Sequence, residues 1–351
     1  MLLYHKEFEE LYNCSFYNVS DIPLEQRQHT KMGYAFIASF FFFEILYIPC
    51  IVSIKKHCDS PCYKMMYYIA IVDVLCMFMN TLLTGYLAVT GAVYCSHPTL
   101  IYLSGTFGLA CWACESTAEV VLALNRCTAI CSPKWEDYLF RGRIQNLALD
   151  VYSHFLRPPL GIIYQASIVQ RALHVLVFQS SRWVFDDFGL IYNNEVQVNH
   201  NYFVIVGLTT TYLTFAMLLH CKSKKVACQN AAQQNYSHKM IFLQVVMISM
   251  VNAVAASVYI VMQLVRISQF IIYLGSIAWV LAHGIPPVIY LAMNKTMRKD
   301  AIKMTKQFFG ITGPKHHSTS QGFPQMSKST HHLAPGSATI SKNSTIGAGV
   351  H

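Results

Sequence analysis

MIFLQVVMISMVNAVAASVYIVMQLV, Met240–Val265, is 26 residues long and carries no charge. As a helix it reaches about 39 Å, enough to cross a hydrocarbon layer of about 30 Å with some tilt. A water-soluble helix of that length needs one polar face, and this stretch has none. The whole chain follows the same bias: 54% of its 351 residues are hydrophobic and 12% are charged, where soluble domains carry about 25% charged residues. The sequence therefore describes a membrane protein. Its net charge of +9 bears on orientation, not on nucleic acid, and no nucleic-acid partner is expected.

Five more segments are long and apolar enough to span: Gly33–Ile54, and about Met65–Thr90, Leu100–Leu124, Tyr202–Leu219 and Phe270–Met293. A weaker one, Gly161–Phe178, follows Pro158-Pro159 and holds Arg171 and His174 near its centre, which is costly in lipid. Parity argues for it, since six spans would place the basic loop CKSKKVACQ outside. With seven spans and an outer N-terminus, twenty Lys/Arg fall inside and five outside, as the positive-inside rule requires. The expected fold is an all-α seven-helix transmembrane bundle, N-terminus outside and C-terminus inside.

The expected organisation is an extracellular segment over 1–32, the bundle over 33–293, a membrane-surface helix over 294–309 and a disordered cytoplasmic tail over 310–351. No apolar leader stands in MLLYHKEFEE, so the first span serves as the targeting signal. In the surface helix Met297, Ala301, Met304 and Phe308 form one stripe among Lys and Arg, suited to an inner leaflet. Asn13-Cys14-Ser15 and Asn18-Val19-Ser20 are glycosylation acceptors on the outer side. Of the twelve cysteines, only Cys14 and Cys95 fall clearly in the oxidising compartment, which predicts a Cys14–Cys95 disulfide against the alternative of two free thiols. Cys58–Cys62 and Cys127–Cys131 lack a second ligand pair, so no metal is expected from that spacing, and no cofactor.

Charges inside spans are functional candidates because burial is costly. Asp73 lies too deep to reach the interface. It either holds a cation or water network that differs between two packings of the bundle, or is an acid neutralised by a proton or a neighbouring helix. Glu115 and Glu119 share one face of the third span. A polar relay towards the cytoplasm and a solvated groove are the two readings, the groove favoured for Glu119 and neither for Glu115. Glu44 suits packing between lipid and bundle. The last span ends GIPPVIYLAMNK; Pro286 and Pro287 remove two backbone donors and kink the helix. Tyr290 follows at the inner end, either as part of a switch or beside a purely structural kink.

LALNRCTAICSPK places Asn125 and Arg126 at the close of the third span. With P-x-x-Y at Pro287–Tyr290 and the basic surface helix, these features resemble a G-protein-coupled receptor. The chain resembles more closely the nematode serpentine chemoreceptors of the Srt class. The resemblance is carried by YNCS at Tyr12, RQHTKMG at Arg27, YIPC at Tyr47, SPCYK at Ser60, IVD at Ile71, GY at Gly85, VYCSHP at Val93, Trp112 and LNRC at Leu124. YNNEVQVNHNY and HGIPPVIYLAMNKTMR extend it into the second half. The resemblance implies a multi-pass plasma-membrane receptor, of sensory-neuron cilia, that couples an unknown small-molecule or peptide ligand to a heterotrimeric G protein. It assigns Asn125, Arg126, Pro287 and Tyr290 to the coupling switch. Two departures stand against it: Asn125 replaces the acid of D-R-Y, and Pro286 replaces the asparagine of N-P-x-x-Y. Residues 145–189 depart most from the family. For Arg126 the plain alternative is a charge anchor.

No nucleophile–base or metal constellation is visible, so an enzyme is not expected. A transporter or channel is the rival reading, disfavoured by the lack of an internal repeat. A non-signalling pseudoreceptor is the other.

Overall fold

A computed structural model describes residues 14–15, 18–140, 195–224, 229–264 and 269–310. These residues are all-helical, with no strand among them. The expected fourth span at 161–178, the irregular 145–189 segment, Asn13 and the tail beyond 310 lie outside the described residues. After two short turns, Val19–Asp21 and Leu24–Arg27, come α1 (Thr30–Lys56), α2 (Pro61–Thr90), α3 (Pro98–Cys131) and α4 (Pro133–Phe140). Then follow α5 (Glu195–Lys224), α6 (Gln229–Leu264), α7 (Gln269–Gly284), α8 (Pro286–Met293) and α9 (Lys295–Phe308). Among the described residues five helices are long and apolar enough to cross a membrane, or six if α7 and α8, bent by 44°, count as one broken span.

Local chemistry explains where the helices start and stop. Pro61 and Pro98 occupy first-turn positions, where a missing N–H costs nothing. The third helix does not end at Arg126: α3 runs on to Cys131. It stops at Ser132, with φ −163° and ψ 122°, because the ring of Pro133 disfavours helical geometry in the residue before it. Likewise α6 begins at Gln229, well before the uncharged run. Charge limits what lipid accepts, while helical hydrogen bonding continues past it.

Among the candidate spans α3 is the most buried and α1 the least, so α3 is the central column and α1 stands at the edge. α1 turns Tyr34, Phe41, Phe42, Ile45 and Ile48 outward, each more than half exposed. An apolar face this continuous needs lipid, not water. At its other side Gly33 meets Gly85 of α2: a Cβ on Gly33 would sit 2.7 Å from the Gly85 carbonyl oxygen, and one on Gly85 2.8 Å from that of Gly33. Small residues allow this backbone approach, the usual cement of helices in lipid. Within α2 a π-helical turn, Phe78–Leu83, turns Asn80 and Thr81 into the core.

α9 packs against the end of α1. Met297 is fully buried, Ser53 donates to Asp300 at 2.8 Å, and His57 lies 3.7 Å from the same carboxylate. Asn294 caps the helix by accepting from the Thr296 and Met297 amides. The expected stripe is buried at Met297, half-buried at Ala301 and Met304, and exposed at Phe308.

Candidate functional site: a buried polar column along the third helix

Residues spaced three and four apart share one helix face, and Glu115, Glu119, Leu122 and Arg126 make such a stripe on α3. Around its upper part α1, α2, α6 and α7 each contribute a buried polar group. Asp73, Glu115, Asn252 and His283 are 0% exposed, Tyr47 1% and Glu119 4%.

The chemistry of the upper knot starts with a proline. In a helix the carbonyl of residue 283 would accept from the amide of residue 287, and Pro287 has none. The Tyr47 hydroxyl fills that place, 2.6 Å from the His283 carbonyl oxygen. The same hydroxyl lies 2.8 Å from Asp73 Oδ2, and His283 Nδ1 lies 2.9 Å from Asp73 Oδ1. Three helices distant in sequence are thus tied at one aspartate. Asp73 is bonded to two neighbouring helices.

Asn252 of α6 donates its amide to Glu115 Oε1 at 3.0 Å and to Glu119 Oε2. Glu119 is therefore not a solvated group at a helix end but a buried partner of α6. Glu44, on α1, is half-buried, and its Oε1 has no hydrogen-bond partner among the described residues. Aromatic rings wall the knot: Trp279 lies 5.2 Å and Trp112 6.1 Å from the His283 ring, and Tyr259 stacks edge-on to Trp279 at 5.4 Å. Trp112 donates to Asn201 of α5 at 2.9 Å, and Ser116 meets His200 at 2.8 Å.

Below the knot a crevice opens between α2, α3, α6 and α8. Glu119, Arg126, Gln244, Ser249 and Tyr290 line it, over an apolar floor that includes Ile248. Arg126 Nε is buried and has no hydrogen-bond partner among the described residues. Tyr290 is 4% exposed and reaches the crevice because α8 departs from α7 at the double proline. Asn125 is a neighbour of Arg126 in sequence only. It is buried and donates to Glu136 of α4 at 3.4 Å, so it ties α3 to α4 rather than lining the crevice.

The opposite end of the bundle is closed by the N-terminal segment. Cys14 and Cys95 are joined in a disulfide. Arg27 donates to the Gly91 carbonyl at 2.9 Å, Gln28 to that of Val89 at 2.8 Å, and the His29 amide to that of Ala88 at 3.0 Å. Gly91 is left-handed, φ 65°, where a side chain would be strained. Beside these bonds a small pocket lies between α1, α2, α3 and α7, lined by His29, Phe36, Leu87, Ile101, Ser104 and Tyr273 among others. Burial holds the His29 imidazole below its ordinary value. Asn18 is exposed and accepts from the Ser20 amide at 3.2 Å.

Sequence reasoning missed Tyr47, Asn252 and His283. The available signal was weaker than charge: each is a polar or amphipathic group within an apolar run.

Residues 2–310 match the family model described as serpentine type 7TM GPCR chemoreceptor Srt. The chain belongs to the Srt chemoreceptor family. Serpentine receptor class T-55 of Caenorhabditis elegans is 24% identical to this Srt chain over 300 residues, covering 84% of this chain and 80% of the relative. Srt membership makes this a multi-pass membrane protein of a nematode receptor family, not of an enzyme family. The match runs through α9 and stops at its end.

Proposed function

We propose that this Srt chain is a chemosensory receptor that passes ligand occupancy to a heterotrimeric G protein at the plasma membrane, in the cilia of sensory neurons. The chain then spans seven times, with the disulfide end outside and the Arg126 end inside. Residues 1–32 form the extracellular segment, glycosylated at Asn13 and Asn18; the exposure of Asn18 supports this. α9 lies on the inner leaflet, with Lys295, Arg298, Lys299, Lys303 and Lys306 towards lipid headgroups; all five are exposed. Residues 310–351 are the cytoplasmic tail.

One observation carries the coupling assignment. Arg126, with an unpartnered buried nitrogen, shares a crevice with Tyr290 at the end of a bent helix. Movement of α6 or α8 opens that crevice and frees the guanidinium for the carbonyls of an entering Gα helix. Pro287 supplies the bend, Tyr290 the moving wall, and Asn125 fixes the α3–α4 corner. Asp73 and Glu115 connect this region to the ligand end through Tyr47, His283 and Asn252. A small-molecule or peptide ligand at the disulfide end acts by binding one arrangement more tightly than the other.

The test pairs surface labelling with second-messenger output in cells carrying a promiscuous Gα, screened against volatile, lipid-like and peptide candidates. With an activating compound in hand, Arg126→Ala keeps surface expression and loses at least about nine-tenths of the response. Full signalling from Arg126→Ala refutes the coupling role. Tags on the two chain ends labelling the same face of intact cells refute the topology.

A further inference from the structure

Towards α5 and α6 the space beside the polar column is filled: the Trp112 and Trp279 rings lie 5.7 Å apart, Tyr259 closes on Trp279, and Trp112 bonds Asn201. On the side of α1 and α2, under the N-terminal segment, it is not. The pocket there has a volume of about 30 Å3 and is partly open. Its roof is fixed, because Arg27, Gln28 and the His29 amide all bond carbonyls between Ala88 and Gly91. A site held in this way is formed before a ligand arrives.

Charge, polarity and size of the wall select the occupant. No Asp, Glu, Lys or Arg lines the pocket among the described residues, so an ammonium, carboxylate or phosphate group would leave water without a partner. Most of the wall is apolar, from Met32, Phe36, Leu87, Ala88, Ala92 and Ile101. The polar exceptions are few. The His29 ring and the Thr84 and Tyr273 hydroxyls have no side-chain hydrogen bond among the described residues, and Ser104 donates back to the Ile101 carbonyl at 2.9 Å. Burial favours the neutral His29 ring, which offers one donor and one acceptor. A cavity needs roughly 10–15 Å3 to hold one water, so about 30 Å3 encloses two or three groups of that size. A peptide or a long acyl chain does not fit. A compact molecule of roughly six non-hydrogen atoms or fewer does, part of it in the mouth.

We propose that this pocket binds a small neutral molecule with an apolar body and one oxygen, a short-chain ketone or alcohol, whose oxygen pairs with His29, Thr84 or Tyr273. Such an occupant is a signal only on the receptor reading above, but its binding is measured without G protein or second messenger. A receptor that binds and stays silent refutes coupling alone; one that signals without binding these probes refutes this site alone. Full-length receptor in lipid nanodiscs is examined by saturation-transfer NMR with butanone, butanol, hexanol, decanol, butylammonium and butyrate, each corrected for empty nanodiscs. Butanone and butanol give a saturable signal and displace one another, while decanol, butylammonium and butyrate do not displace them. Ala92→Phe fills the pocket and weakens binding by about tenfold or more. Ile101→Ala enlarges it and moves the preference from butanol to hexanol. Absence of saturable binding by both butanone and butanol in wild-type receptor that unfolds cooperatively overturns the proposal. So does full affinity in folded Ala92→Phe, or displacement of butanone by butyrate or decanol as effective as that by butanol. Where Ala92→Phe does not fold, Ile101→Ala decides, and an unshifted chain-length preference there overturns the site.

Discussion

Replacing Tyr47 by Phe removes one oxygen and leaves the ring in place. Tyr47 is 1% exposed, so the loss opens almost no cavity, and the hydroxyl's bonds set the cost. Its single proton is shared between two acceptors, Asp73 Oδ2 at 2.8 Å and the His283 carbonyl at 2.6 Å, and Pro287 denies the second its helical donor. Bonds to a charged group contribute about 1.5–3 kcal/mol in soluble proteins. Between membrane helices they average about 0.6 and reach about 1.7 kcal/mol. With both acceptors stranded, about 1.5 kcal/mol is expected, a fall of roughly 3–6 °C in unfolding temperature. The assay is thermal unfolding in nanodiscs followed by tryptophan fluorescence. The partner variant is Asp73→Asn, and the two changes share one bond, so their effects fall short of additive by about 0.5 kcal/mol or more. Should Tyr47→Phe unfold at the wild-type temperature, or the two effects add within about 0.3 kcal/mol, the knot does not hold α1, α2 and α7 together.

Two further perturbations address the ends of the bundle. His29 precedes α1, and burial lowers its pKa from 6.5; the folded state therefore favours the neutral ring. Stability from this group is present above pH 6.5 and lost as the pH falls below it. Unfolding scans should show an acid-side decline that is smaller in His29→Gln, and an identical decline in the variant would remove His29 from the pH response. Met297 is 0% exposed beneath α9, and Met297→Ala should cost about 2 kcal/mol and speed amide exchange over residues 295–308. Unchanged protection there would mean that the polar ties at Asp300 and the Asn294 cap secure the helix without Met297.

Much of the framework is legible in single stretches. The uncharged run from Met240 to Val265, the double proline at 286–287 and the stretch from Met297 to Phe308 state a long apolar helix, a bend and a further helix in a few residues each. Helix ends are less legible. Arg126 reads as a terminus because charge limits the membrane, whereas Ser132 is the terminus because of the proline after it. Adjacent letters also mislead: Asn125 and Arg126 differ by about 100° around α3, so one meets α4 and the other the crevice. Asp73 and Glu115 stand out as charges in lipid, while His283, Tyr47 and Asn252 carry no charge signal and blend into apolar runs.

Local composition was enough to determine that this chain lives in lipid as helices, because the cost of exposing a peptide group or a charge to hydrocarbon is set residue by residue. Which buried groups meet was decided only in the folded bundle. Asp73 and His283 are 210 positions apart, and their contact depends on the rotation and depth of two helices packed against a third, quantities that no single stretch of sequence contains.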